Sequence, residues 1–326
     1  MTDNYGRVID YIRISVTDRC NLRCVYCMPE EGVESITHNE ILKFDEILRI
    51  CRLLASKGLK KVKITGGEPL VRRGVANLIK QIKDIDGIES VTITTNGVLL
   101  TEQYHNLVGA GVDSITVSLD TVDREKYAKL TRRDELERVL KGIELAQKLN
   151  QTKLKINSVP AYGLDEQEIV SLVQFAKDYE TDVRFIEVMP IGSGGDFETI
   201  TEDDIKNVIE KHFGKLTPYN EKRGNGPSVH YSLDGFKGKI GFISAVSHKF
   251  CDQCNRVRFT ADGHLKACLQ FEAGIDLKPC LREGGTDNEL LQLMIEGIAN
   301  KPKSHRFDEK DYFTDKEHRN MSQIGG

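Results

Sequence analysis

Through the first 190 or so residues, short apolar runs rich in β-branched residues alternate with stretches in which apolar residues recur every three or four positions. The first pattern is typical of strands and the second of helices. Together they predict six strands, at 8–16, 61–65, 90–95, 114–119, 153–159 and 183–189, separated by helices that include 44–57, 75–80 and 166–178. Repeated strand–helix units of this kind indicate a parallel sheet covered by helices.

Six such units are fewer than the eight that close a full barrel. We therefore expect an α/β fold with an open, partial (β/α)6 barrel, while periodicity alone leaves a doubly wound sheet as the alternative. The alternation stops at the glycine-rich stretch 192–196, which predicts a partial-barrel domain at 1–191 and a smaller α+β domain at 192–326. The second domain is predicted to contain helices at 203–212 and 287–299, a glycine-rich loop at 223–227, and strands at 228–233 and 239–244.

Composition gives no reason to expect a nucleic acid or a membrane as partner. The 326 residues carry a net charge of −4 with a pI near 6.1, whereas proteins that bind such anionic surfaces usually show a strongly basic balance or patch. The first eight residues are polar, and no stretch approaches ~18 consecutive apolar residues. We expect a cytoplasmic protein. In that compartment the eight cysteines are better suited to metal binding than to disulfides.

Three closely spaced cysteines are the first chemical signal. Cys20, Cys24 and Cys27 have a C-x3-C-x2-C spacing with no fourth cysteine nearby. Thiolates are the usual ligands of iron–sulfur clusters, and a four-iron cluster held by only three of them leaves one iron open. A structural zinc site is the less favoured alternative, because zinc ligands usually come as two pairs. The spacing, with Tyr26 just before the last cysteine, resembles the signature of radical S-adenosylmethionine enzymes.

A second triad follows near the C-terminus, at Cys251, Cys254 and Cys268. Its spacing alone suits a second iron–sulfur cluster as well as a zinc site that His248 or His264 would complete.

The residues that follow Cys254 favour the cluster. Arg256 and Arg258 place two guanidinium groups, which suit phosphate or carboxylate recognition, beside the metal centre. If this stretch is a strand, alternation points both side chains to the same side.

Cations in the middle of predicted strands are a further signal. Four strands each carry one: Arg13, Lys63, Lys155 and Arg184. Because parallel strands are covered on both faces, such a side chain must point into a lumen or reach a strand end. An unpaired buried charge costs several kcal/mol, so we expect the lumen to hold a polyanion such as a nucleoside triphosphate. The alternative is that acidic residues near strand ends, such as Asp120 and Glu187, neutralise these cations.

The motifs together resemble the GTP 3′,8-cyclase family of radical S-adenosylmethionine enzymes nearly end to end. Beside the first triad, the resemblance includes Gly66-Gly67-Glu68-Pro69 after the second strand, a run that by itself is equally compatible with a simple turn. The specific parts are the second triad and the terminal Gly325-Gly326. Composition alone would favour an exposed, disordered tail at that terminus.

The resemblance implies radical cyclisation of GTP to (8S)-3′,8-cyclo-7,8-dihydroguanosine 5′-triphosphate, the first step of molybdenum cofactor biosynthesis, by a lyase that forms a homodimer. It implies two [4Fe-4S] clusters, with S-adenosylmethionine on the first and guanine on the second, and an electron donor such as flavodoxin or ferredoxin. The implied cofactor-binding residues are Tyr26, Gly67, Glu68, Ser118 and Met189. The implied substrate-binding residues are Arg13, Lys63, Thr94, Lys155, Arg184, Arg256 and Arg258. The implied catalytic residues are Arg256, Arg258, Gly325 and Gly326.

Lys63 and the segment 160–163 after Lys155 depart from the family pattern, and two other functions remain alternatives. Lys63 stands where the family often has arginine, which keeps the charge but loses the planar fork. A radical enzyme that modifies a peptide would leave the lumen cations unexplained. A zinc-binding interaction module would contain zinc and little iron.

Overall fold

The structure is a computed structural model that describes residues 1–161, 163–192, 197, 200–307 and 317–325. Within these residues one sheet of twelve strands organises the molecule. In chain order the strands are β1 (Tyr11–Ser15), β2 (Lys61–Thr65), β3 (Ser90–Thr95), β4 (Ser114–Ser118), β5 (Lys153–Ser158), β6 (Asp182–Ile186), β7 (Thr217–Tyr219), β8 (Val229–Ser232), β9 (Ile240–Ile243), β10 (Arg256–Phe259), β11 (His264–Lys266) and β12 (Ile275–Asp276).

Ten α-helices pack around this sheet in the described part of the chain. They are α1 (Phe44–Ala55), α2 (Val75–Lys83), α3 (Leu100–Gly109), α4 (Arg124–Thr131), α5 (Leu136–Leu149), α6 (Glu166–Gln174), α7 (Glu202–Phe213), α8 (Lys278–Arg282), α9 (Asp287–Ala299) and α10 (Met321–Ile324). None of the described helices is both long and apolar enough to cross a membrane.

The strand order confirms the open partial barrel. Strands β1 to β6 lie side by side in chain order and are parallel, without the reversal of order that defines a doubly wound sheet. The sheet ends at β12 on one side and at β7 on the other, so it does not close on itself.

The region after residue 192 extends both sides of this sheet. Strand β9 pairs in parallel with β6, and β10 pairs in parallel with β1, so the parallel run has eight strands. The antiparallel strands β7 and β8 lie beyond β9, and β11 and β12 lie beyond β10. The C-terminal region therefore supplies walls on both flanks of the lumen. Residues 193–196, on which the predicted domain boundary partly depends, lie outside the described residues.

The two faces of the parallel strands differ in polarity. Ile12 and Ile14 of β1 are fully buried against the helix layer, and Arg13 between them lines the interior of the curved sheet. Parallel strands are usually apolar on both faces. The alternation seen here is the consequence of a polar interior, which confirms that a lumen exists.

Helix α1 follows the predicted apolar face, and Cys51 is a buried core residue there. Four boundaries differ from the predictions by three or more residues, and two of these are the ends of α2, at Lys83 rather than residue 80, and of β6, at Ile186 rather than residue 189. Strand β1 starts at Tyr11 rather than residue 8, because Val8 forms only an isolated bridge with Thr2. Helix α6 ends at Gln174 rather than residue 178.

Candidate active site

A cavity of about 640 Å³ fills the interior of the curved sheet. Of the predicted site residues that the structure describes, all but Gly325 line it: Arg13, Cys20, Cys24, Tyr26, Cys27, Lys63, Gly67, Glu68, Thr94, Ser118, Lys155, Arg184, Met189, Cys251, Cys254, Arg256, Arg258 and Cys268. Residues from both ends of the chain thus meet in one space.

The two cysteine triads lie at opposite ends of this lumen. Cys20, Cys24 and Cys27 follow β1, at the edge where the parallel strands end. Cys254 lies two residues before β10, which is parallel to β1, and therefore lies at the edge where these strands begin. Cys268 follows β11, which is antiparallel to β10 and returns the chain to that edge. Since a strand rises ~3.3 Å per residue, the five residues of β1 separate the edges by about 16 Å.

The first triad has apolar and partly acidic surroundings. Burial raises the pKa of Cys20 to about 11 and that of Cys27 to about 12. The charge of Glu68 adds to the effect at Cys20, and that of Asp120 adds to it at Cys27. Burial and the neighbouring Cys27 also raise the pKa of Cys24. A metal centre supplies the positive charge that such thiols need in order to bind as thiolates.

Gly66 and Gly67 let the loop after β2 lie against the backbone that leads into the first triad. A Cβ atom at Gly67 would lie 2.4 Å from the carbonyl oxygen of Arg19, and one at Gly66 would lie 2.7 Å from that of Thr17. The backbone N–H of Gly67 donates to the Thr17 carbonyl (2.6 Å), and that of Glu68 donates to the Arg19 carbonyl (2.8 Å). The glycines therefore serve a close approach of two loops.

Glu68 is buried beneath this contact. Its carboxylate accepts hydrogen bonds from the backbone N–H of Leu70 (2.9 Å), the hydroxyl of Thr95 (2.7 Å) and the backbone N–H of Asn96 (2.6 Å). Burial raises its pKa to about 7, and the hydrogen bonds act in the opposite direction. A carboxylate has about four acceptor positions, so this group has capacity for one further donor.

The other predicted cofactor-binding residues lie at the same end of the lumen. The Tyr26 hydroxyl donates to Asp120 (2.5 Å), and the second oxygen of Asp120 accepts from the backbone N–H of Val159 (2.8 Å). Burial raises the pKa of Asp120 to about 6. Ser118 ends β4, and Met189 follows β6. Asp120, which sequence analysis considered only as a partner for lumen cations, instead fixes the aromatic ring next to the triad.

The second triad has basic surroundings. Burial alone would raise the pKa of Cys254, but the charges of Lys301 and Arg256, with hydrogen bonds from Arg256, lower it to about 7. Lys301 is buried, lines the cavity, and donates to the backbone carbonyls of Arg256 (3.0 Å) and Ala267. No signal in the sequence marks this lysine, because it lies outside any predicted strand and belongs to no motif.

The histidines considered as fourth ligands lie elsewhere. The ring of His264 is 3.3 Å from Asp262, and that of His248 is 3.8 Å from Glu202. Neither histidine lines the cavity that the three cysteines share. A zinc site of Cys3His type with either histidine therefore has no support in the structure.

A group of six cations fills the middle of the lumen: Arg13, Lys63, Lys155, Arg184, Arg256 and Arg258. Burial and the charges of Arg184 and Arg13 lower the pKa of Lys63 well below its ordinary value. Burial and the charge of Arg184 lower that of Lys155 to about 8. Cations buried together in this way repel one another, and a bound anion relieves that repulsion.

Within the part of the chain that the structure describes, the carboxylates nearest the lumen are engaged mainly with other groups. Asp120 is engaged as described above, and Glu187 accepts hydrogen bonds from two backbone N–H groups, the shorter of 2.7 Å. Asp182 lies 3.9 Å from the Lys155 ammonium but forms its close ion pair with Arg223 (2.7 Å). Among the described residues, Asp120 and Glu187 therefore have other hydrogen-bond partners than the lumen cations, and Asp182 offsets only part of the charge of Lys155.

Residues 222–227, which we call the floor loop, close the edge of the lumen where β3 to β6 begin. The side-chain amide of Asn225 donates to the hydroxyl of Ser90 at the start of β3 (3.0 Å). The ammonium of Lys155 donates to the backbone carbonyl of Arg223. The predicted glycine-rich loop is thus part of the site, although the sequence did not indicate this.

Several buried polar atoms in the lumen have no hydrogen-bond partner among the described residues. They are the hydroxyls of Thr92 and Ser114, the side-chain carbonyl of Asn157 and Nε of Arg184. All four side chains line the cavity. Because an unpaired buried polar atom costs ~1–3 kcal/mol, this group indicates a site for a polar ligand with its water.

The C-terminal segment reaches into the same cavity. The carbonyl of Gly325 accepts a hydrogen bond from Arg258 (2.5 Å), and the backbone of Ser322 hydrogen-bonds to the Cys27 thiol. Gly325 has φ 77°, and a Cβ atom there would lie 2.9 Å from the hydroxyl of Thr65. The exposed tail that composition favours is therefore wrong for 317–325. Gly326 lies outside the described residues.

A buried ion pair anchors this segment. Glu317 pairs with Lys266, and both side chains are fully buried. The Arg319 guanidinium adds a second contact to Glu317 (3.0 Å). Beyond them, Ile324 packs with Ile191 and Leu269 in a small apolar cluster.

The donor sets suit iron–sulfur clusters. All six cysteines are free thiols that line one cavity. In the described ranges, no three cysteine, histidine or carboxylate side chains converge as ligands of a single ion would. A cluster presents several irons, each of which takes its own thiolate, so three thiolates that do not converge on one ion fit it.

Two protein-family models match the chain. The model of the radical SAM superfamily matches residues 14–176, and the model described as Molybdenum Cofactor Synthesis C matches residues 181–307. The first match contains the first triad, and the second contains the other triad and Lys301.

Curated relatives match over the whole length. The GTP 3',8-cyclase of Clostridium perfringens (strain 13 / Type A) is 44% identical over 326 residues and covers 100% of both chains. That of Pelotomaculum thermopropionicum is 43% identical over 329 residues, again with 100% of both chains covered. That of Lactiplantibacillus plantarum is 41% identical over 332 residues, covering 99% of this chain and 98% of the relative.

Solved structures show the same fold at low sequence identity. Streptococcus suis SuiB bound to S-adenosylmethionine has a TM-score of 0.61 and 17% identity, covering 89% of this chain and 68% of that one. SuiB bound to the precursor peptide SuiA has a TM-score of 0.65 and 15% identity, covering 92% and 68%. At this identity the likeness concerns the fold alone.

Proposed function

The chain belongs to the GTP 3′,8-cyclase family of radical S-adenosylmethionine enzymes, and we propose that the lumen between its two cysteine triads is the active site. The protein is a lyase that converts GTP to (8S)-3′,8-cyclo-7,8-dihydroguanosine 5′-triphosphate, the first step of molybdenum cofactor biosynthesis. The observation that carries the assignment of the site is the cation-lined lumen with one triad at each end.

The enzyme uses S-adenosylmethionine and two [4Fe-4S] clusters. We assign Cys20, Cys24 and Cys27 to the first cluster, and the triad of β10 and β11 to the second. Those residues would hold the clusters, and the first cluster, once reduced, would supply the electron that cleaves S-adenosylmethionine to a hydrogen-abstracting 5′-deoxyadenosyl radical. GTP would lose its 3′ hydrogen to that radical and close the bond from the sugar carbon to C8. The guanine radical that results would take up one proton and one electron, the latter supplied in the end by the external donor.

The residues around the first triad hold S-adenosylmethionine in this proposal. Glu68 keeps an acceptor position for the amino group, and its three protein hydrogen bonds fix the direction of that position. Gly67 lets the binding loop lie close to the cysteine loop. Tyr26, held by Asp120, offers an aromatic face for adenine. Ser118 at the end of β4 and Met189 after β6 complete the wall of the S-adenosylmethionine site.

The lumen cations bind the triphosphate. Lys63 donates a long hydrogen bond to the hydroxyl of Thr94 (3.2 Å), and Lys155 donates to a backbone carbonyl. Both acceptors are uncharged, so each ammonium can form a stronger hydrogen bond with a phosphate oxygen in their place. Arg13 and Arg184 lie on β1 and β6, so the group surrounds the lumen rather than lining one side. The unpaired hydroxyls of Thr92 and Ser114 then gain an acceptor.

Strand β10 contributes two arginines to the site, Arg256 and Arg258, and the C-terminal tail lies against the second of them. Both arginines point into the lumen from β10, and Arg258 holds the Gly325 carbonyl. A glycine suits this position because any side chain would meet Thr65. The tail thereby covers the reacting sugar and limits the access of water. Gly326 is assigned the same role by its place in the sequence.

Two domains, one electron donor and a second copy of the chain complete the proposed enzyme. We assign residues 1–191 to a radical domain and 192–326 to a domain that carries the second cluster, with both contributing strands to one sheet. Flavodoxin or ferredoxin is the proposed electron donor, and a homodimer the proposed assembly. Free thiols at both triads suit the reducing cytoplasm, which is the proposed location.

The alternative of a radical enzyme that modifies a peptide has weaker support. It would draw on the fold shared with SuiB, at 15% to 17% identity, whereas the cyclases match at 44% over the whole chain.

Metal content tests the assignment of the two sites. Wild-type protein, Cys24→Ala and Cys254→Ala should be reconstituted anaerobically with iron and sulfide. We expect about eight iron atoms per chain in the wild type and about four in each variant, since each cluster holds four. Zinc near two per chain with negligible iron after anaerobic purification would contradict the proposal. Full iron retention in either variant would contradict the assignment of that triad.

A further inference from the structure

Residues 301–305, which we call the strap, are tied by hydrogen bonds to the chain segments that carry the second triad. The guanidinium of buried Arg7 donates to the backbone carbonyls of Cys251 (2.9 Å), Pro302 (2.7 Å) and Lys303 (2.8 Å). One side chain therefore ties the strap to the loop of Cys251.

Lys301 begins the strap and connects the other two cysteines. Its side chain is buried, and the ammonium donates to the backbone carbonyls of Arg256 (3.0 Å) and Ala267. Arg256 lies two residues after Cys254, and Ala267 directly precedes Cys268. A single ammonium thus joins the two arms of the chain that carry these thiols.

The charge of Lys301 is not neutralised by a carboxylate within the part of the chain that the structure describes, since both acceptors are carbonyls. The ammonium lies against the two chain segments that carry Cys254 and Cys268. At the first triad the buried neighbours are carboxylates instead. Asp120 accepts a hydrogen bond from Tyr26, which directly precedes Cys27. The backbone N–H of Glu68 donates to the carbonyl of Arg19, which directly precedes Cys20. The two cysteine sites of one lumen therefore have buried neighbours of opposite charge.

We propose that Lys301 is a positioning residue of the second cluster, whose buried ammonium joins the Cys254 and Cys268 arms and raises the reduction potential of that cluster above that of the first. Reduction adds a negative charge to a cluster, and a nearby cation stabilises the reduced form. Net charge, hydrogen bonding and exposure are the factors by which proteins set these potentials. The inference rests on the proposed function, because it requires an iron–sulfur cluster at the second triad.

The test is a potentiometric titration of the reconstituted full-length protein followed by electron paramagnetic resonance. The signal of the second cluster is identified as the one that Cys24→Ala retains. Lys301→Met removes the charge and keeps the length of the side chain, Lys301→Arg keeps the charge, and Lys303→Met removes an exposed charge two residues away. We expect Lys301→Met to lower the potential so that the ratio of oxidised to reduced cluster rises about tenfold at a fixed potential, which is ~59 mV for a one-electron couple. Lys301→Arg and Lys303→Met should match the wild type.

If Lys301→Met fails to assemble the second cluster, the iron content per chain shows the loss, and Lys301→Arg then decides. The proposal is supported if Lys301→Arg retains the cluster at the wild-type potential. It is overturned, in favour of a purely structural role, if both variants lose the cluster. An unchanged potential in a fully loaded Lys301→Met would also overturn it. Absence of a second signal in the wild type would instead contradict the cluster assignment itself.

Discussion

Substitution of Lys155 is the simplest test of whether the lumen binds a polyanion. The ammonium of Lys155 is buried in the lumen with the five other cations of the group defined above. Among the described residues its only partners are a backbone carbonyl and a carboxylate 3.9 Å away. Truncation of one partner of a buried charge pair costs ~2–5 kcal/mol, so Lys155→Ala should weaken GTP binding by about thirtyfold or more. Arg256→Ala should weaken it in the same direction.

Equilibrium binding of GTP to the anaerobic protein measures this effect. Lys80→Ala, an exposed position on α2, is the matched control and should bind as the wild type does. Unchanged affinity in Lys155→Ala and Arg256→Ala would remove the argument that the lumen cations bind the triphosphate.

The same lysine predicts a pH dependence of binding. Burial lowers the pKa of Lys155 to about 8, so its positive charge is present below that pH and is lost as the pH rises through it. The phosphates stay ionised over this range, because their last pKa lies near ~6. GTP affinity should therefore fall between roughly pH 7.5 and pH 9, with proton uptake on binding near pH 8.

Isothermal titration in buffers of different ionisation enthalpy measures that proton uptake. Lys155→Arg stays charged throughout and should reduce both the uptake and the fall in affinity. Equal proton uptake in the wild type and in Lys155→Arg would show that another group is responsible, with Lys63 as the next residue to test.

At the scale of elements, the floor loop holds the ammonium of Lys155 through the backbone carbonyl of Arg223. A Cβ atom at Gly224 would lie 2.6 Å from the Lys155 ammonium, whereas one at Gly226 would meet nothing within 4 Å. The end of a lysine side chain can move, so Gly224→Ala should fold normally but displace this charge. We expect severalfold weaker binding of GTP and little change for guanosine, while Gly226→Ala binds both as the wild type does. Equal binding of GTP by the two variants would contradict the role of the loop.

The tail depends on one buried pair. Glu317→Gln leaves the Lys266 ammonium buried without its anion, and breaking such a pair costs ~3–5 kcal/mol. The tail should then detach locally, and trypsin should cut the native protein faster at Arg319. Mass spectrometry of a limited digest measures this, with Glu296→Gln at an exposed site as control. Protection of the tail equal to that of the wild type would contradict the anchor.

At the scale of the whole molecule, the repeating local patterns were predictable from sequence. Alternation along β1 and β2 placed Arg13 and Lys63 in a lumen, because a cation between buried apolar residues has nowhere else to go. The two cysteine triads and Gly67 were also visible, since their spacing carries the chemistry.

Features that depend on long-range packing were not predictable. The pairing of β10 with β1 joins residues that are more than 240 positions apart, and no local pattern encodes that partner. Lys301 and Asp120 acquire their roles only from the residues that folding brings near them. In the sequence, the floor loop looks like an ordinary glycine-rich connection, and its contact with Lys155 is visible only in the structure.

The central claim is that this lumen couples radical formation to GTP. The most direct test is to reconstitute the protein anaerobically with iron and sulfide, add dithionite and S-adenosylmethionine, and measure 5′-deoxyadenosine with and without GTP. We predict GTP-dependent formation of 5′-deoxyadenosine together with a cyclised nucleotide. Cleavage of S-adenosylmethionine that is indifferent to GTP and yields no cyclised nucleotide, or no cleavage by a fully iron-loaded protein, would contradict the account.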